Sequence, residues 1–237
     1  MRRELRLAVA DLHVHTRHSD GEDSPSEVVE QARLRGISVI AITDHDCIEG
    51  ALIAATHAAA LPGVEVIVGE EVSTADGHVL GLFLKEWVPP GMSAVETVRA
   101  IHEQGGLAVA AHPYWRTKSR VPGRPPHGVG NLVAHAGFDA VEILNGGFTP
   151  SMIYANLLAG WANEHVGLAE TGGSDAHVKQ AIGSAGTLFE GATSSDLRRG
   201  IEAGRTTAKL GRQSAVAIGR YVAWGIAPRQ RPAMEAG

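Results

Sequence analysis

Ile37-Ser38-Val39-Ile40-Ala41-Ile42-Thr43-Asp44-His45-Asp46 is the stretch on which the reading of this chain turns. Its first six residues are apolar apart from Ser38, as strands covered on both faces tend to be. The run then breaks into carboxylates and an imidazole. Five other segments carry the same kinds of donor: Asp11-Leu12-His13-Val14-His15, Gly69-Glu70-Glu71, Gly77-His78, Ala111-His112-Pro113 and Ser174-Asp175-Ala176-His177. Apolar runs at 7–10, 64–68 and 107–111 stand just ahead of three of them. A parallel barrel gathers the C-terminal ends of its strands at one face, so residues distant in sequence converge there. Imidazoles and carboxylates without thiolates suit Zn, Mn or Fe rather than a Cys-rich structural site. The chain reads as an α/β metallohydrolase.

Bulk properties agree with one barrel-sized domain. The 237 residues are 44% hydrophobic and 20% charged, with 29 glycines for tight strand–helix turns. A net charge of −5 and the lack of a long basic block give no strong nucleic-acid signal. Cys47 is the only cysteine, which excludes an intrachain disulfide and points to a reducing cytoplasm. It stands beside His45 and Asp46, either as a soft extra ligand or as a small packing residue. The basic start at Arg2, Arg3 and Arg6 is followed by an apolar stretch that Asp11, His13 and His15 interrupt, so no signal peptide is expected. No apolar run approaches the length of a membrane span.

Strands and helices alternate along the chain. Strands are expected at 7–12, 37–42, 64–72, 79–84, 107–111, 138–144 and 168–171, with a last short one at 205–208. Ser24-Pro25-Ser26-Glu27 reads as a capping box opening a helix whose apolar side is Val28, Val29, Ala32 and Leu34, ended by Gly36. Further helices are expected at 48–60, 93–104 and 150–165, with one capped by Ser194 or Ser195 that runs to Ala203. Alternation at this spacing argues for βα units. The domain is placed at 1–226, and 227–237, with Pro228, Pro232 and many charges, is expected to be a disordered tail.

The motifs together resemble the polymerase-and-histidinol-phosphatase (PHP) family of metal-dependent phosphoesterases. The resemblance rests on Asp11–His15 with Thr16, on Ser19-Asp20-Gly21, Thr43–Asp46, Gly69-Glu70-Glu71-Val72-Ser73, His78-Val79-Leu80-Gly81, Ala111-His112-Pro113 and Gly173–His177, and spans about 7 to 208. It implies a distorted (β/α)7 barrel, TIM-barrel-like, with two or three divalent ions (Mn, Zn or Fe) at the C-terminal ends of the strands. By family correspondence His13, His15, Glu71 and Asp175 hold one ion, and His78 and His112 a second with Glu71 bridging. Asp20, His45 and His177 hold a third, although some relatives carry a histidine where Asp20 stands. Bottom-up, Glu70 and Glu71 are equivalent candidates facing opposite ways; the family's Gly-x-Glu pattern selects Glu71.

The expected function is hydrolysis of a small phosphorylated metabolite or nucleotide, as a monoester or diester, by metal-bound hydroxide. Alternatives are an amide or carbamate hydrolase on the same site, or a metal-binding protein without turnover. Asp44 either orients a ligand imidazole or shuttles a proton, or else caps the following helix. Residues 113–130 carry Arg116, Lys118, Arg120, Arg124 and His127 with no acidic residue, a cationic loop suited to an anionic substrate. His18, inside the first motif loop, is a further candidate for substrate contact. Asn145 ends a strand and either faces the site or forms the turn before Gly146-Gly147. The partner is a small anionic substrate, with no membrane and an oligomeric state the sequence leaves open.

Overall fold

The computed structural model describes residues 6–115, 126–213 and 215–226. Its elements run β1 (Leu7–Asp11), α1 (Pro25–Leu34), β2 (Val39–Ile42), α2 (Glu49–Ala58), β3 (Glu65–Ser73), β4 (His78–Leu82), α3 (Ala94–Glu103), β5 (Leu107–Ala110), β6 (Ala140–Asn145), α4 (Pro150–Val166), β7 (Ala169–Gly173), β8 (Ala185–Glu190), α5 (Ser194–Glu202), β9 (Thr207–Leu210) and α6 (Ala215–Ile226). Short 3-10 turns occupy Gly130–Ala134 and Lys179–Ala181.

The helices start where side chains satisfy the first free backbone N–H groups. Ser24 with Glu27, Ser93 with Glu96 and Thr193 with Asp196 each close a capping box, and Thr149 caps α4 ahead of Pro150. Thr193, rather than Ser194 or Ser195, is therefore the cap of α5. α1 ends on Arg35, with Gly36 following at φ 71. Leu34, expected on its buried side, is 72% exposed; position 34 is two residues beyond Ala32, on the opposite flank of a 3.6-residue helix.

A sheet ordered β7-β6-β5-β4-β3-β2-β1-β8-β9 curls into a nearly closed barrel. β1, β2 and β3 are parallel, and so are β5, β6 and β7. β4 runs antiparallel to both its neighbours, because the turn through Ala75, Asp76 and Gly77 sends the chain straight back and pairs Ser73 with His78. His78 thus opens a strand instead of ending one. It still lies at the same barrel end as the other motifs, since a hairpin keeps the end of β3 and the start of β4 together.

The seam between the first and seventh strands closes just beyond them. Asp175 N–H donates to His13 O at 2.8 Å, His15 N–H donates to Ala176 O at 3.0 Å, and Val14 and Ala176 form a parallel bridge. At the opposite end β8 fills the seam, pairing antiparallel with β1 from Leu7–Glu190 to Ala10–Thr187. The Thr187 hydroxyl accepts Gly172 N–H at 3.0 Å and donates to Gly172 O at 2.9 Å. β8 and α6 were not expected from the sequence.

Alternation divides the core. Val39 and Ala41 of β2 pack inside the barrel with Leu12, Ile67, Leu80, Val109 and Ala140, and Phe189, Leu197 and Ile201 join this cluster. Ile40 and Ile42 face outward onto Val28, Val29, Ala51 and Ala54 of α1 and α2. Each fully buried Leu, Ile, Val or Phe contributes about 1.5–3 kcal/mol relative to exposure. The result is a rigid scaffold beneath the motif loops.

Candidate metal centre

Glu71 is the hub of the loop end of the barrel. Its Oε2 lies 3.1 Å from His13 Nε2, 3.2 Å from His15 Nε2 and 3.3 Å from His45 Nδ1. Its Oε1 lies 2.7 Å from His78 Nδ1 and 3.0 Å from His112 Nε2. One carboxylate therefore offers its two oxygens to separate sets of imidazoles. Glu70 points the other way along β3 and accepts Val88 N–H at 3.0 Å. Asp175 Oδ1 stands 3.2 Å from His15 Nε2 and 3.6 Å from His13 Nε2. Asp20 Oδ1 lies 3.1 Å from His177 Nε2, 3.8 Å from His15 Nδ1 and 4.0 Å from His45 Nε2.

Four overlapping donor groups arise, each with its ligand atoms within 4.8 Å of one another: His15, Asp20, His45 and His177; His13, His15 and Glu71; His13, His112 and Asp175; His45, Glu71 and His78. His15 belongs to two of these groups and His45 links the outer group to Glu71. The sets are thus less separate than the family correspondence assigns them.

Burial and charge act in opposition here. Burial pushes the Glu71 and Asp175 carboxyls up, but the surrounding imidazoles outweigh it and hold both well below the usual carboxylate range. Burial pushes His15 down, yet the carboxylates of Asp175 and Glu71, each 3.2 Å from its Nε2, carry it up to about 10. His45 goes the other way, pushed down to about 4 mainly by burial and then by His15. Protons and divalent cations compete for the same imidazole lone pairs, so this balance fits a cation-holding cluster. Both His15 ring nitrogens, His112 Nδ1 and Asp20 Oδ1 are buried without a hydrogen-bond partner among the described residues. Buried imidazole and carboxylate atoms left unpartnered beside four donor groups suit ligation of divalent cations.

A support layer holds these groups in place. Glu142 Oε1 accepts from His13 Nδ1 at 3.0 Å, and its Oε2 accepts His112 N–H at 2.9 Å and Asn145 Nδ2 at 3.1 Å. Asn145 Nδ2 also donates to Asp175 Oδ2 at 3.1 Å. Asn145 thus faces the site, and its Oδ1 accepts Gly147 N–H at 2.9 Å, so it shapes the turn as well. Sequence reasoning passed over Glu142. The available signal was an acidic residue inside the apolar run Ala140–Asn145, since a fully buried carboxylate needs partners. His112 (φ 27) and Asp175 (φ 51) are left-handed non-glycine residues, a conformation that costs of order 1–3 kcal/mol each and is held here by those contacts.

Above the cluster opens a cavity of about 300 Å³, lined by Asp20, His45, Glu71, His78, His112, Asp175 and His177 and by aromatic walls. Trp115 lies 4.7 Å from His127, and Phe148, Tyr221 and Trp224 also line it. His127 is the described member of the cationic stretch that reaches the cavity. Arg116, Lys118, Arg120 and Arg124 lie outside the described residues, as does the 227–237 tail.

Two other expectations end elsewhere. Both Asp44 oxygens are taken by the loop after β1: Oδ1 accepts Thr16 N–H at 2.7 Å and Ser19 Oγ at 2.6 Å, and Oδ2 accepts Thr16 Oγ1 at 2.7 Å. Asp44 thus anchors that loop, and α2 has no side-chain cap at Ile48. His18 is not among the residues lining the cavity; its carbonyl accepts from the Cys47 thiol at 3.6 Å, which places both beside α2.

Barrel and donor cluster define a protein built to hold divalent ions at the loop end of an α/β barrel. The chain belongs to the PHP domain family, whose model matches residues 11–194. It is 42% identical over 116 residues to an uncharacterized protein of Methanocaldococcus jannaschii, covering 44% of this chain and 67% of that one. It is 38% identical over 97 residues to a 3',5'-nucleoside bisphosphate phosphatase of Chromobacterium violaceum, covering 39% of this chain and only 34% of that relative. In fold it is similar to a two-domain protein from Bacteroides vulgatus containing a predicted PHP-like metal-dependent phosphoesterase, with a TM-score of 0.70, 20% identity, and coverage of 87% of this chain and 66% of that one. Among the described residues, no helix is long and apolar enough to cross a membrane.

Proposed function

We propose that the protein is a metal-dependent phosphoesterase acting on a small phosphorylated metabolite or nucleotide. The observation that carries this reading is Glu71, whose two oxygens face different histidine sets on the floor of the cavity. His13, His15, Glu71 and Asp175 would hold one divalent ion, Glu71 with His78 and His112 a second, and Asp20, His45 and His177 a third. Such ions supply Lewis acidity for phosphate oxygens and lower the pKa of water toward 7. Membership of a phosphoesterase family and the likeness to a named phosphatase favour a phosphate ester over an amide.

The chain's own residues supply placement. Glu142 and Asn145 fix the ring of His13 and the carboxylate of Asp175, so the donors meet a substrate already aligned. Trp115 and His127, their rings 4.7 Å apart, form one wall of the cavity. A volume of about 300 Å³ suits a small phosphate ester.

The test is to measure bound metal and phosphate release from a panel of monoesters, diesters and amides with added Mn or Zn. Phosphate release that disappears in His13→Ala and Asp175→Ala is the expected result. Metal binding with no hydrolysis across the panel would leave a non-catalytic metal-binding protein.

A further inference from the structure

The family match ends at residue 194, yet the outer donor group is touched by a helix well beyond it. α6 spans Ala215–Ile226 and packs against the 3-10 turn at Lys179–Ala181, with Ala217 buried beside Val14, Ala176 and Val178. Two of its side chains reach the Asp20/His177 pair. Tyr221 Oη lies 3.0 Å from His177 Nδ1 and 3.0 Å from Asp175 O. Trp224 lays its ring against His177, centroids 4.2 Å apart, and donates Nε1–H to Asp20 O at 2.8 Å.

These contacts select a tautomer. His177 Nδ1 also lies 3.0 Å from Asp175 O, which is an acceptor only. With a proton on Nδ1, the ring donates to Asp175 O and to Tyr221 Oη, and the phenol donates its own proton to Asp175 O. Every group is then satisfied. With the proton on Nε2, the Nδ1 lone pair would face the carbonyl oxygen. The favoured tautomer leaves the Nε2 lone pair directed at Asp20 Oδ1, itself buried and without a hydrogen-bond partner. Two lone pairs 3.1 Å apart are reconciled by a shared cation, either a proton on Nε2 or a metal ion that both atoms ligate.

We infer that α6 is the positioning element of the Asp20/His45/His177 ion. In this reading Asp175 O sets the tautomer of His177, Tyr221 braces both Nδ1 and that carbonyl, and Trp224 fixes the ring plane and the Asp20 backbone, so that the outer ion binds tightly only when α6 is docked. The inference rests on the proposed metal centre and adds a dependence on a helix outside the matched family domain.

The test uses the full chain with Zn or Mn as the probe. Stepwise affinities are measured by calorimetry and chelator competition, and the His177 tautomer by 15N NMR of labelled histidines. Tyr221→Phe and Trp224→Phe should each weaken the outermost ion about 10–100-fold, the range for losing a residue that orients a ligand, and leave the inner affinities unchanged. Tyr221→Phe should have no further effect in a His177→Ala background. Wild type should show an Nδ1-protonated His177. Equal affinity for the outer ion in wild type and both variants, or a wild type that binds only two ions, would overturn the inference while leaving the proposed activity standing. Failure of the wild type to bind any ion would instead remove the activity proposal beneath it.

Discussion

Glu142 and Glu71 grip opposite sides of one imidazole: His13 meets Glu142 through Nδ1 at 3.0 Å and Glu71 through Nε2 at 3.1 Å. The first contact selects the tautomer that leaves Nε2 to face the centre. Glu142→Gln places an amide where the Nδ1–H bond ended and cannot serve His13 and His112 N–H equally. The expected result is a 10–100-fold loss of metal affinity with the fold retained, read by calorimetry and circular dichroism. Unchanged affinity would show that packing alone orients the ring.

Gly173 passes close to the first strand. A Cβ there would sit 2.4 Å from His13 Cβ and 2.9 Å from Glu142 Oε1. Gly173→Ala should therefore force the two strands apart, lowering stability by about 1–3 kcal/mol. Urea unfolding should show a lower midpoint, with metal content falling in the protein that remains folded.

The start of α5 offers a comparison far from the cluster. Thr193 Oγ1 accepts Asp196 N–H at 3.1 Å, and Asp196 Oδ2 accepts Thr193 N–H at 3.1 Å. Thr193→Ala should cost about 1 kcal/mol, whereas Ser195→Ala should stay within about 0.5 kcal/mol of wild type. Turnover should be unaffected in both. An equal loss in both variants would place the cap at the wrong residue.

Glu27 links α1 to the turn that α6 packs against. Its Oε1 accepts from Lys179 Nζ at 2.8 Å and its Oε2 from Ser24 Oγ at 2.7 Å, and these contacts hold its carboxyl down at about 2. The folded value lies below the unfolded one of about 4.3. Its contribution is thus fully present above the unfolded value and fades as pH falls toward the folded one. Lys179→Met should move the Glu27 carboxyl midpoint upward in an NMR titration. The stability gap between wild type and Glu27→Gln should be wider at pH 7 than at pH 3.

Much of this architecture was legible because most donors sit at the ends of short, largely apolar runs. Ile40 and Ile42 read as covered on both faces because they are, by helices outside and by the barrel sheet around them. The first helix announced itself through Ser24, Pro25 and Glu27, all local signals. What escaped depends on distant partners. β8 is a strand because β1, far away in sequence, offers it an edge. α6 carries Gly219 and almost no charge and lacks the capping signals that marked the first helix, and its value lies in two aromatic contacts near Asp20 and His177. Asp44 could not be read as the anchor of Thr16 and Ser19 from its neighbours in sequence. The antiparallel course of β4 follows from the tight turn at Ala75-Asp76-Gly77, itself a local signal in the sequence.

The bridge between Val14 and Ala176 also sets a timetable for maturation. Ser174 and His13, joined across this seam, are 161 positions apart in the chain. During synthesis the His13–His15 pair waits, without Glu142 or Asp175, until the chain as far as Asp175, about 160 positions further on, has followed. Closing so long a loop is slow compared with forming the local helices. A nascent chain halted before residue 175 therefore cannot present the whole donor set.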